Sequence, residues 1–176
     1  MLASAFVILA SAAAEESAFL RLACTFQLLT LSPYPCLSLS SVASLITLEV
    51  KTSRRTLLLN VTPEVQQIVS SSAIASGVCH LYVPHTTAGI TINEADDPDV
   101  ARDIEATLDR LIPHKGPYKH AEGNADSHIK ASLVGSSATV LIDNGRLVLG
   151  RWQGIFFCEF DGPRSRHLLV KLAHDP

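Results

Sequence analysis

Concentrated positive charge is the first thing this sequence lacks. Lys and Arg number 14 against 17 Asp and Glu, and setting aside Arg21, Glu15 and Glu16 of the first 44 residues leaves 13 against 15. A protein that grips nucleic acid neutralises phosphates with a cationic face. Nucleic acid is therefore not an expected partner. Disulfide spacing is lacking too. Cys24 and Cys36 fall in the first 44 residues, while Cys79 and Cys158 sit in apolar runs without CxxC pairing. That excludes a disulfide scaffold and predicts buried free thiols, with a metal-ligand or nucleophile role for Cys158 as the alternative. There is no GxxxxGKS or GxxxxGKT loop, no GxGxxG after a strand and no GxSxG elbow, so the common nucleotide and hydrolase motifs are missing. The apolar run from Ala18 to Leu31 is interrupted by Arg21 and falls short of the roughly 20 residues that cross a bilayer. No membrane partner is expected.

Residues 1–44 read as an extension separate from a domain over 45–176. They are apolar and rich in small residues, but they lack the basic start of a secretory signal, and one Arg beside a Glu pair does not suit a transit peptide. Met1 is the only methionine of the chain. A disordered tail, a degenerate targeting peptide and a gene-model artefact all stand open for this extension. The expected compartment is the cytoplasm, with an organellar or secreted destination left open by the extension.

Within the domain, ASLITLEV (43–50) and TLLLNV (56–61) are β-rich stretches joined by a short polar connection, which predicts a hairpin. Thr62 as N-cap and Pro63 at the first helical position open an amphipathic helix carrying Val65, Ile68 and Val69, stopped by Gly77. GVCHLYVP (77–84) returns as a strand. Asp97-Pro98 repeats the cap-then-proline signature, and Val100, Ile104, Leu108 and Leu111 form an apolar stripe until Pro113. A long aperiodic loop follows, PHKGPYKHAEGNADSH, and Asp126 or Ser127 caps a short helix through Ile129 and Leu133 to Gly135. The last third alternates strands and turns, with Asn144-Gly145 as a type I′ hairpin signal, and reads as an antiparallel meander.

Polar residues of useful type collect at His85-Thr86-Thr87, at Asn93-Glu94, between His120 and Lys130, and at Arg146, Trp152-Gln153 and Glu159. His85 ends a buried strand, where an imidazole either serves a site or closes a turn. His120 and His128 share their loop with Glu122, Asn124 and Asp126, a plausible divalent-metal set without a known ligand spacing. Glu159 alternates with Phe157 and Ile155, while Phe156, Cys158 and Phe160 take the other face. A carboxylate in so apolar a strand is either a perturbed acid–base group or half of a structural ion pair with Arg146 or Arg164. His80 shares a face with Tyr82 and reads as a core or interface histidine, and His114, His167 and His174 receive no role.

The segments HTTAGITINE (85–94), HAEGNADSHIKASLVGSS (120–137) and NGRLVLGRWQGIFFCEF (144–160) resemble the YjbQ-like family, known as secondary thiamine-phosphate synthases. The resemblance runs from about Ile46 to Leu172. It implies an α+β fold with a mixed, largely antiparallel sheet and two main helices packed on one side, assembled as a homotrimer with the polar motifs near subunit boundaries. It also lends weight to His85, His120, His128 and Glu159. Arg151 departs from the family's usual threonine before the tryptophan, and the loop before His128 is the shorter form.

The activity implied by the resemblance joins a pyrimidine pyrophosphate to a thiazole phosphate, giving thiamine phosphate and pyrophosphate. Its expected catalytic residues are His85, Glu94 and Glu159. Ligand contacts fall to Thr86, Thr87, Asn93, Asn124, Lys130, Arg146, Trp152, Gln153 and Arg164, with Lys130, Arg146 and Arg164 as cations for the leaving pyrophosphate. A divalent metal, Zn or Mg, would sit on His85, His120 and His128. Expected partners are a small phosphorylated molecule and further copies of the chain. A metal-dependent hydrolase of a small substrate and a non-catalytic trimeric ligand-binding protein stand as alternatives.

Overall fold

The structure, a computed structural model, describes residues 45–174. Its elements are β1 (Leu45–Lys51), β2 (Leu57–Asn60), α1 (Thr62–Ser71), β3 (Gly77–Tyr82), β4 (Ala88–Glu94), α2 (Pro98–Leu111), α3 (Ala125–Val134), β5 (Ser137–Asp143), β6 (Arg146–Leu147), β7 (Gln153–Glu159) and β8 (Ser165–His174). The α+β class stands, but the sheet is two sheets and the helices are three. A five-stranded sheet runs β1-β8-β3-β5-β6 and a three-stranded one β2-β7-β4, with every pairing antiparallel.

Burial explains the layering. Val50, Cys79, Leu81, Val140, Leu168 and Val170 of the larger sheet meet Ile90, Ile155 and Phe157 of the smaller one, together with Val65 and Val69 of α1. On the other face of the smaller sheet, Leu58, Phe156, Cys158 and Phe160 are covered by Ala101, Ile104 and Leu108 of α2 and by Ala131 and Val134 of α3. The helices are thus divided between two cores rather than gathered on one side. β7 lies at the centre of this arrangement because GIFFCEF is apolar on both faces, and a strand buried on both faces needs layers above and below it. The expected meander is corrected accordingly. Only β5 and β6 form its hairpin, with Asn144 at φ 50° and Gly145 at φ 71°.

The expected hairpin between β1 and β2 is also absent. β1 pairs with β8 and β2 with β7, so residues 52–56 cross from one sheet to the other. What looked like turn chemistry is a set of anchors. Thr52 N–H donates to Arg164 O at 3.0 Å, Arg54 holds Glu105 through two hydrogen bonds, and Arg55 reaches Asp126 and Asp161.

At α2, Asp97 Oδ1 accepts the Asp99 N–H at 2.8 Å as the sequence predicts, although Leu111 is 65 % exposed. At α1, Val61 occupies the cap and Thr62 lies in the first turn, its hydroxyl accepting Ile155 N–H. The short helix α3 inverts expectation. Ile129 and Leu133 are exposed, while Asp126, Ser127 and Lys130 are buried, so this helix turns its polar side inward. Among the described residues no helix is long and apolar enough to cross a membrane.

Candidate functional site

β3 ends at Tyr82 and the chain turns through Val83, Pro84, His85 and Thr86 into β4. Opposite this turn lies α3. Between them opens a cavity of about 640 Å³ whose walls include Tyr82, Pro84, His85, Thr86, His128, Ser132 and Ser136. His85 and His128, 43 residues apart in the chain, are thereby brought to one place. Gly89 permits the approach, since a Cβ there would stand 2.6 Å from Gly135 O, next to the end of α3.

His85 is fixed by the main chain. The His167 N–H donates to His85 Nε2 at 2.9 Å, and the two rings stack with centroids 6.1 Å apart. Burial first, then the charges of Arg166 and His167, lower the His85 pKa against a weaker pull from Glu159. His128 meets His120 edge to face at 5.2 Å, and His120 Nε2 lies 3.6 Å from Glu122. Among the described residues no three of His, Cys, Asp and Glu stand together closely enough to hold a metal ion. His85, His120 and His128 therefore do not fit a resident metal as a three-donor set within one chain.

Glu159 lies at the end of β7, fully buried, and receives five hydrogen bonds. Arg166 donates twice at 2.7 Å, the Phe160 and Asp161 N–H groups at 3.0 and 2.9 Å, and Thr52 Oγ1 at 3.1 Å. Burial pushes its pKa up, and the Arg166 hydrogen bonds, the Asp161 N–H, the Arg166 charge and Thr52 outweigh that and hold it below the ordinary value. A carboxylate whose lone pairs are filled in this way has the geometry of a structural ion pair. Its partner is Arg166, correcting the expected Arg146 or Arg164. Thr87 is buried beside it and accepts from Arg166 Nη2 at 2.8 Å.

A second buried charge network flanks α3. Lys130, only 1 % exposed, donates to Asp109 at 2.6 Å and Asp126 at 3.2 Å. Asp126 also receives Arg55 at 2.9 Å and faces His114 at 3.3 Å, while Asp161 receives Arg55, Asn124 and Arg164. Burial raises the Asp126 and Asp161 pKa values, but their hydrogen bonds and cationic neighbours bring both out below the ordinary range. Lys130 and Arg164 are thus engaged by carboxylates, and neither lines the cavity.

The remaining expected residues lie elsewhere. Asn93 and Glu94 stand opposite Gly154 and Gln153 at the far end of β4, roughly 20 Å of strand away from Thr87. Exposed Trp152 carries the Arg151 guanidinium 5.9 Å from its ring centre, and Gln153 accepts the Gly150 N–H. Arg146 is exposed on the β5–β6 hairpin. Cys79 and Cys158 are buried free thiols, and burial pushes Cys158 up to about 12, with Glu105 adding to it, which rules against a nucleophile at neutral pH. His80 is exposed rather than buried, bonded to Thr139 at 3.0 Å. Asp126, read from the sequence as a helix cap or metal ligand, is instead buried against Arg55 and Lys130. Arg55, Asp161 and Arg166 were not singled out by sequence reasoning. Their one signal is charge inside or beside apolar runs.

Fold and cavity define the class: a two-sheet α+β protein with a cavity between the β3–β4 turn and α3. The chain belongs to the UPF0047 protein YjbQ-like family, whose sequence profile matches residues 46–175. It is 51 % identical over 127 residues to the UPF0047 protein MJ1081 of Methanocaldococcus jannaschii, covering 72 % of this chain and 92 % of that one. Identity to the UPF0047 protein YugU of Bacillus subtilis is 48 %, over 72 % of this chain and 96 % of the relative. A crystal structure of a YjbQ/UPF0047 family protein from Clostridium acetobutylicum superposes with a TM-score of 0.71 at 52 % identity, covering 73 % of this chain and 99 % of that one. A YbjQ-like protein of unknown function from Sulfolobus solfataricus gives a TM-score of 0.72 at 33 % identity, covering 75 % and 97 %.

Proposed function

We propose that this chain binds a small phosphorylated molecule in the cavity between the β3–β4 turn and α3. One observation carries the reading: His85 and Thr86 from one motif meet His128 from another on the walls of a single cavity of about 640 Å³. That size falls within the roughly 300–1,000 Å³ of small-molecule sites. The reaction first in line for assay is the thiamine-phosphate synthase transfer implied by the sequence resemblance. No Lys or Arg lines the cavity to meet a leaving pyrophosphate, which favours binding over turnover within a single chain.

Self-association is part of the proposal. Of the eight exposed large hydrophobics among the described residues, four, namely Leu45, Tyr82, Leu141 and Val148, lie on or beside the outer face of the five-stranded sheet. Leu141 of β5 and Val148, just after β6, adjoin, and exposed apolar neighbours of this kind support assembly of copies of the chain through that face.

The test is calorimetric titration of the full chain with the two phosphorylated precursors, alongside chromatography for thiamine phosphate with and without Mg²⁺. Binding that is lost in His85→Ala supports the cavity reading, and product formation lost in the same variant adds the synthase activity. Absence of both binding and product defeats the proposal.

A further inference from the structure

We infer that the cavity recognises an oxyanion of its ligand, a phosphate or a carboxylate, through a proton donated by His85 Nδ1, and that the His167 main chain is the positioning element that fixes this tautomer. The inference rests on the reading of the cavity as a ligand site and gives that site its recognition chemistry.

The β3–β8 register makes the argument. Tyr82 stands opposite Leu169, and β3 ends there. Counting that register on by two residues places Pro84 opposite His167. The His85 imidazole, one residue further on, supplies the acceptor for the His167 N–H through Nε2 at 2.9 Å. A neutral imidazole has one nitrogen that accepts and one that donates. With the Nε2 lone pair committed to the main chain, the ring proton resides on Nδ1. His85 therefore offers a donor and has no lone pair left for a cation.

The walls agree with that polarity. Neither a carboxylate nor a Lys or Arg is among the lining residues, whose polar side chains are those of Tyr82, His85, Thr86, His128, Ser132 and Ser136. A cation would find no counter-charge on these walls. An oxyanion would find neutral donors and no acid on the walls, while behind them the charges of Arg166 and His167 act on His85 against a weaker pull from Glu159. His85 is further disfavoured from charging by its burial, so the neutral donor form persists to lower pH than for an ordinary histidine.

The experiment is long-range ¹H–¹⁵N correlation spectroscopy on the labelled full chain, which reads the tautomer of each histidine, during separate titrations with inorganic phosphate, acetate and Zn²⁺. The expected result is His85 protonated at Nδ1, with that nitrogen shifting saturably. A response to phosphate alone assigns a phosphate group, and one to acetate alone a carboxylate. His85→Gln, checked for an unchanged melting temperature, should bind the effective anion about tenfold more weakly. A proton on Nε2, or stoichiometric Zn²⁺ at His85, overturns the inference; the cavity reading survives if Thr86 and His128 still respond to phosphate. Silence of all three residues to both anions overturns the inference and the cavity reading together.

Discussion

Glu159 and Arg166 face each other across the turn from β7 to β8 through two hydrogen bonds of 2.7 Å, with side-chain exposures of 0 and 8 %. The pair ties three places together, since Thr52 at the end of β1 and Thr87 at the start of β4 bond to the same two side chains. Removing one member of such a pair leaves an uncompensated buried charge, which costs about 3–5 kcal/mol. Arg166→Met is therefore expected to lose stability on that scale in chemical denaturation. The double variant Glu159→Met/Arg166→Met should recover a large part of the loss. Strictly additive single effects would show that the two side chains do not interact.

Acid sensitivity follows from the same residues. Glu159, Asp126 and Asp161 all have folded-state pKa values below their ordinary ones. A depressed carboxylate contributes stability above its unfolded pKa and loses that contribution as pH falls through the folded value. The carboxylate contribution to melting temperature should therefore hold from neutral pH down to about 5 and drop below the ordinary carboxylate range of about 4. This drop adds to the loss from His85, whose lowered pKa costs stability as pH falls below about 6.5. Calorimetry across pH 3–7 checks this, and a flat profile through that window would contradict the assigned shifts. Asp161→Asn should flatten part of the drop.

Lys130 and His85 separate structure from recognition. Lys130 Nζ is buried between Asp109 and Asp126, whereas His85 lines the cavity. Lys130→Met should cost about 3 kcal/mol of stability and leave ligand affinity within about twofold where the variant is folded. His85→Ala should do the reverse. A loss of affinity without a loss of stability in Lys130→Met would restore the pyrophosphate-contact role that the family resemblance implied.

These contrasts also show how far the sequence could be read. Local signals survived: Asp97-Pro98 caps α2, Asn144-Gly145 makes the β5–β6 turn, and the two apolar faces of GIFFCEF are both buried. Each depends on neighbours within a few residues. Failures came where long-range pairing decides. Thr52-Ser53-Arg54-Arg55 has the composition of a turn, yet its side chains are spent on Arg164, Glu105, Asp126 and Asp161, more than 50 residues away. Ile129 and Leu133 look like a core stripe, but α3 buries Asp126 and Lys130 because Arg55 and Asp109 satisfy them. At the site, His85, Thr86 and His128 were legible as chemistry-bearing residues, and only the fold shows that they share a cavity. Asn93, Glu94 and Trp152 carry the same residue types and end up at the opposite end of β4.

Assembly can be tested on the outer face of the five-stranded sheet. Val78 stands opposite Leu141 on one side and Ala173 on the other, and Val148 N–H donates to Leu141 O, so these four residues form one apolar row. Leu141 is 59 % and Val148 51 % exposed, which a lone chain would gain by covering. If copies pack through this row, sedimentation of the parent should give a trimer at micromolar concentration, and Leu141→Glu should shift it toward monomer without lowering the secondary-structure content. Tyr82 is shared between this face and the cavity wall. Dissociation in Leu141→Glu should therefore weaken phosphate binding although position 141 is not among the residues lining the cavity. A parent that sediments as a monomer would defeat self-association, and a trimer indifferent to the charge at 141 would place the subunit contact on another surface.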